Sequence, residues 1–277
     1  MRTTKELQAW SDDCRKQSHS IAMVPTMGTL HAGHLSLVEA AAAKADAVVV
    51  STFVNPTQFG PSEDFDAYPR TEAEDVKKLT GRGVDVVFAP NAAEMYPQGF
   101  ATSVTVGGPA AGLETDFRPH FFAGVATVVT KLLLAARPHF AFFGEKDYQQ
   151  LLVVKRLTAD LNIGTEIIGR PTVREADDLG LSSRNAYLDG AARRSASRLP
   201  AILRYVVVAL EAGAPVETAL ADGHTALERE GFEVDYLALC DAATLAAPKF
   251  GAARRLLVAA RIGSTRLIDN MAVAAEA

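Results

Sequence analysis

Along the first 170 residues, short apolar runs alternate with longer stretches that have helical spacing. Residues 20–45 show this first, with an apolar run, a Pro-Thr-Met-Gly turn and an Ala- and Leu-rich stretch typical of a helix. The β-branched run that follows stops at Asn55-Pro56, which predicts a strand buried on both faces. The alternation continues with predicted helices at Thr71–Arg82, Gly124–Arg137 and Tyr148–Leu161 and predicted strands at Val84–Ala89, Phe140–Phe143 and Thr165–Ile168. Repeated βα units predict an α/β fold, in which a parallel sheet has helices on both faces and binds ligands at the carboxyl ends of its strands.

The pattern changes after about Arg170. Residues Arg174–Asn185 are polar and contain no apolar run, which favours a surface loop or a hinge between domains. Beyond them we predict helices at Ala191–Ala212 and Val216–Glu230 and short strands at Val234–Cys240, Arg255–Ala260 and Thr265–Asp269. The sequence therefore predicts two domains, an α/β domain over residues 1–172 and a smaller α+β domain over residues 173–277.

Composition and charge restrict the class of protein. The 277 residues are 48% hydrophobic and 22% charged, and the formal net charge is -5. A protein that coats nucleic acid or an anionic membrane needs a basic face, so we expect neither partner, and any anionic ligand must be held locally. No signal peptide or membrane-spanning run is recognisable, and Cys14 and Cys240 lack metal-ligand spacing, which favours reduced thiols in the cytoplasm.

The first candidate site follows the first predicted strand, at His31-Ala32-Gly33-His34. Gly33 lets the backbone approach a ligand, the helix N-terminus offers N–H groups, and histidines three residues apart face the same side. These are the parts of a phosphate cradle. For an isolated HxGH tetrapeptide, chance or packing is an equal interpretation, and zinc is disfavoured because no third ligand lies nearby.

Three further polar segments each allow two interpretations. In the segment FVNPTQFG, either Asn55 and Gln58 cap the strand or Gln58 hydrogen-bonds to a small polar substrate through its amide. Lys146 and Asp147 either form an exposed turn or offer a cation to a phosphate and a carboxylate to a ribose or a magnesium-bound water. Residues 182–185 either cap a helix or wrap a polyphosphate with two hydroxyls and a guanidinium.

Absent motifs exclude several common classes. There is no GxxxxGK[ST] segment, no GxGxxG opens the first βα unit, and no GxSxG occurs, which disfavours a P-loop kinase, a dinucleotide oxidoreductase and a hydrolase. The remaining interpretation is an α/β protein that binds a phosphorylated ligand.

Seven segments, taken in order, resemble the pantothenate synthetase (pantoate–β-alanine ligase) family; they are PTMGTLHAGHLSLV, FVNPTQFG, DAYPRT, FAGVATVVTKLL, FFGEKDYQQL, PTVREADDLGLSSRNAYL and RIGSTRLIDN. The resemblance extends from about Ile21 to Asn270. It implies a Rossmann-like nucleotidyltransferase domain of the HIGH superfamily, a C-terminal lid domain and a homodimer. It also implies a ligase of vitamin B5 and coenzyme A biosynthesis that uses ATP and Mg²⁺. In such a ligase pantoate attacks the α-phosphate to form pantoyl adenylate and pyrophosphate, and β-alanine then displaces AMP.

The resemblance also implies the site residues. The catalytic residues would be His34 as proton donor, His31, Lys146 and Arg184. The ATP-binding residues would be Met27, Gly28, Thr29, Leu30, His31, Ala32, Gly33, His34, Gly144, Glu145, Lys146, Asp147, Val173, Leu181, Ser182, Ser183 and Arg184. Gln58, Gln150 and Met27 would bind pantoate and β-alanine. Mg²⁺ would be carried by ATP without direct protein ligation, with Glu74 and Asp75 as neighbours.

Three positions depart from the family pattern. Phe121 stands where the family has a histidine, and His120 comes one residue earlier; Leu181 replaces a methionine, and Asp178 replaces a frequent glycine. Phe121 and Asp178 keep one alternative open, a catalytically impaired nucleotide-binding homologue. The other alternative is a different HxGH nucleotidyltransferase, which would lack the pair Gln58 and Gln150.

Overall fold

The structure is a computed structural model that describes residues 1–60 and 65–275. Its contacts divide the chain into two units. The first comprises Met1–Glu145 and Val153–Pro171, and the second comprises Lys146–Leu152 and Thr172–Ala277. The short segment Lys146–Leu152 is thus grouped with the C-terminal residues, although the sequence-based boundary assigned it to the first domain.

A five-stranded parallel sheet, in the order β3-β2-β1-β4-β5, forms the centre of the first unit. Its strands are β1 Ile21–Thr26, β2 Ala47–Thr52, β3 Val86–Phe88, β4 Phe140–Gly144 and β5 Glu166–Arg170. The run Ile21–Val24 is fully buried, as a central strand requires. The chain places β2 on one side of β1 and β4 on the other, so the carboxyl ends of β1 and β4 form the switch point at which such sheets bind ligands.

Seven α-helices begin in the described residues up to 160, besides short 3-10 helices: α1 Thr4–Lys16, α2 Ala32–Ala42, α3 Glu72–Leu79, α4 Ala92–Met95, α5 Glu114–Phe117, α6 Phe121–Ala136 and α7 Tyr148–Asp160. The core against β1 and β2 includes Leu37 and Val38 of α2. The hydrophobic pattern did not predict α1, although Thr3 and Glu6 form a capping box at its start. The predicted parallel α/β sheet is confirmed.

The second unit contains an antiparallel sheet in the order β6-β7-β8, three further α-helices and a short 3-10 helix. The elements are β6 Glu233–Asp241, β7 Arg254–Ile262, β8 Thr265–Val273, α8 Gly190–Ala196, α9 Leu199–Glu211 and α10 Val216–Arg229. Its apolar core joins helix and strand residues such as Leu203, Leu227 and Leu256. The predicted smaller α+β part is confirmed. One continuous helix over Ala191–Ala212 is wrong, because a new helix begins just before Pro200, which lacks the N–H that a continuing helix needs.

The polar segment predicted as a loop or hinge is an ordered hairpin. Leu181 N–H donates to the Val173 carbonyl at 3.0 Å, and Glu175 N–H donates to the Leu179 carbonyl at 2.8 Å. Leu179 is 2% exposed and belongs to the core of the second unit. Leu179 therefore anchors this mainly polar segment in the core of the second unit. Over the described chain, no helix is both long enough and apolar enough to cross a membrane.

Candidate active site

A buried carboxylate holds the turn that follows β1. Gly28 and Thr29 have left-handed backbone conformations, with φ of 84° and 52°. Asp75, in α3, accepts hydrogen bonds from the backbone N–H groups of Thr29 at 2.8 Å and Leu30 at 2.7 Å. The hydroxyl of Thr71 also donates to Asp75, at 3.2 Å. A left-handed turn at a non-glycine residue costs about 1 kcal/mol or more, and these bonds offset that cost.

Two histidines cap the helix that begins after this turn. His31 Nδ1 accepts the backbone N–H of Gly33 at 3.2 Å, and His34 Nδ1 accepts the backbone N–H of His31 at 3.4 Å. The ring centroids are 4.1 Å apart. Because each Nδ1 acts as an acceptor, the proton of each neutral ring is on Nε2, which is then a donor. The pair thus combines imidazole donors with the positive end of α2, an arrangement suited to phosphate.

The first unit also fixes the amide of Gln58, which is 8% exposed. Asn55 Nδ2 donates to Gln58 Oε1 at 2.9 Å and to the Gly124 carbonyl at 3.2 Å. The acceptor oxygen of Gln58 is therefore engaged by the protein, and its NH₂ group supplies two donors for a carboxylate or hydroxyl. Asn55 also caps the short helix Pro56–Gln58 through Thr57, so the capping interpretation applies to Asn55.

Tyr96 is a polar neighbour that sequence analysis missed. Its hydroxyl donates to Asn55 Oδ1 at 2.7 Å and lies 3.3 Å from the Thr57 hydroxyl. Burial raises the pKa of the Tyr96 phenol, so the ring stays neutral and remains a donor at neutral pH. Tyr96 is 41 residues from Asn55 in the chain, and no local motif links the two.

The segment that carries Phe121, at the family's histidine position, contacts Gln58 through Arg118. Arg118 donates to the backbone carbonyl of Gln58 at 3.1 Å. Its guanidinium lies 3.6 Å from the carboxylate of Glu114 and 3.9 Å from the centre of the Phe121 ring. Phe121 thus makes a cation–π contact where the family pattern has an imidazole. His120 Nε2 is buried and has no hydrogen-bond partner within residues 1–60 and 65–275.

In the second unit, Lys146 and Asp147 end the short helix Glu145–Asp147, which leads into α7. Asp147 is exposed, whereas Lys146 and Gln150 are half-buried. The stem of Lys146 runs past Gly180, where a Cβ would lie 3.6 Å from Lys146 Cε. Lys146 therefore packs against the hairpin that leads to residues 181–184.

Hydrogen bonds hold the Ser182–Arg184 segment and the residue that follows it. Ser182 Oγ accepts the backbone N–H of Arg184 at 3.3 Å and caps the short helix Ser183–Tyr187, so the capping interpretation holds for this hydroxyl. Asn185 Nδ2 donates to Glu175 at 2.6 Å and to the Gly180 carbonyl at 3.1 Å. These bonds fix the hairpin against the short helix.

Asp178, at the tip of the hairpin, has φ of 71°, which explains the frequent glycine at this position. Its carboxylate forms an ion pair with Arg204. The extra negative charge is therefore paired within the second unit.

The structure groups the predicted residues by unit. The first unit brings together residues 27–34 with Asp75, and Gln58 with Asn55 and Tyr96; the second brings Lys146 together with Gly180. Glu74 is exposed, whereas the carboxylate of Asp75 accepts hydrogen bonds from the backbone of the turn after β1. Within the described residues, no group of three or more His, Cys, Asp or Glu side chains is arranged to hold a metal ion.

The pantoate–β-alanine ligase family profile matches residues 1–272. A pantothenate synthetase of Rhodospirillum rubrum is 54% identical over 277 residues, covering 98% of this chain and 98% of that protein. A pantothenate synthetase of Bradyrhizobium sp. is 52% identical over 275 residues, covering 98% and 97%. A crystal structure of pantothenate synthetase from Thermus thermophilus superposes with a TM-score of 0.91 at 46% identity, covering 99% of both chains. The pantoate–β-alanine ligase of Francisella tularensis, complexed with β,γ ATP and β-alanine, superposes with a TM-score of 0.84 at 34% identity, covering 98% of this chain and 96% of that one.

Proposed function

Because the chain belongs to the pantoate–β-alanine ligase family, we propose that it joins (R)-pantoate to β-alanine at the expense of ATP, with pantoyl adenylate as the intermediate. The observation that carries the proposal is the histidine pair at the start of α2. Both rings accept backbone N–H groups at Nδ1 and carry their proton on Nε2 at the switch point of the sheet. The ATP complex of the Francisella relative supports the choice of nucleotide.

In the first step, a pantoate carboxylate oxygen attacks the α-phosphate and pyrophosphate leaves. Negative charge builds on the phosphate oxygens, and fixed donors stabilise it most effectively. We assign this role to His34 and His31, with His34 as the proton donor to the departing phosphate oxygen. The turn Met27–Leu30 contributes the shape of the ATP site, because Asp75 engages the N–H groups of Thr29 and Leu30. Ala32 and Gly33 lie at the first turn of α2.

We assign pantoate binding to Gln58, Gln150 and Met27. Asn55 donates to the side-chain oxygen Oε1 of Gln58 at 2.9 Å, so the NH₂ group of Gln58 presents donors of fixed orientation to the pantoate carboxylate and hydroxyls. The Tyr96 hydroxyl donates to Asn55 and so fixes the orientation of the Asn55 amide. An oriented carboxylate saves the entropy of aligning the two reactants.

In the second step, the amine of β-alanine attacks the pantoyl carbonyl and AMP leaves with the bonding electrons. The carboxylate has become an acyl phosphate, whose leaving group is far better than hydroxide. We assign neutralisation of phosphate charge to Lys146 and Arg184. The other ATP contacts would come from Gly144, Glu145, Asp147, Val173, Leu181, Ser182 and Ser183.

We infer that Mg²⁺ enters with the ATP phosphates and that exposed Glu74, rather than Asp75, is its nearer carboxylate neighbour. Bound Mg²⁺ would neutralise phosphate charge. The lid role of the second unit, the homodimer and the cytoplasmic location follow from the family resemblance and belong to the same proposal.

The proposed reaction is tested by incubating the protein with Mg-ATP and pantoate, with and without β-alanine, and measuring pyrophosphate and AMP. We expect pyrophosphate in amounts equal to the enzyme without β-alanine, and sustained AMP release only with it. Sustained AMP release without pantoate would refute the proposal, and so would a dinucleotide product. Complete inactivity would identify an impaired homologue.

The residue roles are tested by substitution. His34→Ala and Lys146→Ala should each slow adenylate formation by on the order of a hundredfold or more. Matched controls are His19→Ala and Lys155→Ala, which remove the same groups from exposed positions. Normal rates in both active-site variants would overturn the role assignments while leaving the reaction intact.

A further inference from the structure

The motif RIGSTRLIDN ends in a pair of buried polar residues, Asp269 and Asn270, that the proposed chemistry does not use. Each is 3% exposed and lies in β8 of the second unit. A buried amide or carboxylate is costly unless its partners are in place. The partners of this pair therefore indicate what the pair does.

The side chain of Asn270 connects to the chain at Lys146. Its Nδ2 donates to the Lys146 backbone carbonyl at 2.9 Å, across 124 residues of sequence. Its Oδ1 accepts from Arg255 Nε at 2.6 Å, which fixes the orientation of the amide. The amide thus bridges β7 and β8 to the residue to which we assign phosphate contact.

Further contacts fix the positions of Asn270 and of its partner Arg255. Arg174 binds both carboxylate oxygens of Asp269, at 2.8 and 2.9 Å, and Asp269 accepts the backbone N–H of Asn270 at 2.8 Å. The guanidinium of Arg255 lies 4.1 Å from the centre of the Tyr148 ring. The Tyr148 hydroxyl donates to the Ala242 carbonyl at 2.9 Å. The segment that carries Lys146 is therefore fixed at residues 146 and 148.

We propose that Asn270 is a positioning residue that sets the location of Lys146 for adenylate formation. The inference rests on the proposed function and extends it, because Asn270 contacts the backbone of Lys146. The segment Lys146–Leu152 belongs to the second unit, in agreement with this contact. A displacement of about 1 Å in such a group is enough to cost on the order of a hundredfold in rate.

The informative variant is Asn270→Asp. It keeps the acceptor for Arg255 and nearly the same shape, but it replaces the donor to Lys146 with an oxygen that repels the carbonyl. We expect pyrophosphate formation in a single turnover to slow by about ten- to a hundredfold, with little change in the KM for pantoate. Leu267→Ala is the matched control, because Leu267 is a buried core residue of the same strand. It should lower Tm and leave the rate of the folded enzyme unchanged.

A double-mutant cycle separates positioning from general damage. If Asn270 acts through Lys146, then adding Asn270→Asp to the Lys146→Ala variant should not slow pyrophosphate formation further. A double variant that is slower by the product of the two single effects would overturn the inference, and so would a normal rate in Asn270→Asp. A wild-type protein that forms no pyrophosphate with pantoate would refute the proposed function instead, so the two failures are distinguishable.

Discussion

Asp75 Oδ1 accepts a 2.7 Å hydrogen bond from the backbone N–H of Leu30, inside the turn that leads to the histidine pair. Its other oxygen accepts the N–H of Thr29 at 2.8 Å. The residue is 1% exposed, whereas its neighbour Glu74 is exposed. Two adjacent carboxylates in α3 therefore face different environments. The buried one is engaged by the backbone of the turn, which favours a structural role over contact with magnesium.

Asp75→Asn should weaken the turn while preserving its volume. The new NH₂ group would face a backbone N–H, leaving a buried donor unsatisfied at a cost of about 1–3 kcal/mol. We expect a lower Tm, a higher KM for ATP and adenylate formation slowed by about tenfold or more. Initial rates at varied ATP and thermal unfolding would measure these effects.

Glu74→Gln is the matched control for that change, because it alters the adjacent exposed carboxylate. It should leave Tm unchanged. The magnesium interpretation of Asp75 would be restored if excess Mg²⁺ returned Asp75→Asn to the wild-type rate.

Gly124 is required where α6 approaches Gln58. A Cβ at this position would lie 2.3 Å from the Thr57 carbonyl oxygen and 3.0 Å from the Gln58 backbone nitrogen. Gly124→Ala should therefore displace Gln58, raise the KM for pantoate and destabilise the fold by about 1–3 kcal/mol. Gly164→Ala is the control, because nothing lies within 4 Å of a Cβ there. An unchanged pantoate KM in Gly124→Ala would show that Gln58 does not bind pantoate.

Local spacing predicted much of the fold and some of the site. His31 and His34 were predictable because three residues of a helix place both side chains on one face. The partners of Leu30 and Lys146 were not, since Asp75 is 45 residues from Leu30 and Asn270 is 124 residues from Lys146. Such pairs depend on tertiary packing, on which hydrophobic periodicity carries no information.

Asp178 holds a left-handed backbone, with φ of 71°, and pairs with Arg204. Asp178→Ala removes the ion pair and places a poorly tolerated side chain at this φ, so we expect a loss of about 1 kcal/mol. Asp178→Gly also loses the ion pair, but glycine adopts this positive φ without strain, so the Tm of this variant should exceed that of the alanine variant. Urea unfolding would rank the three proteins. A large increase in adenylation rate in Asp178→Gly would instead show that the carboxylate opposes ATP binding.

Cys240 should make the stability of the protein fall at alkaline pH. Burial, with a smaller effect of Asp241, raises the pKa of the Cys240 thiol to about 11. The unfolded chain loses this proton near pH 8.5, so the free energy of unfolding decreases as pH rises from about 8.5 to 11, by on the order of 3 kcal/mol. Urea unfolding of the wild type and Cys240→Ala across this range isolates the effect, because the other titrating groups are common to both proteins. The stability of the wild type should decrease more steeply with pH. Parallel curves would show that the thiol ionises equally in both states and would contradict the prediction.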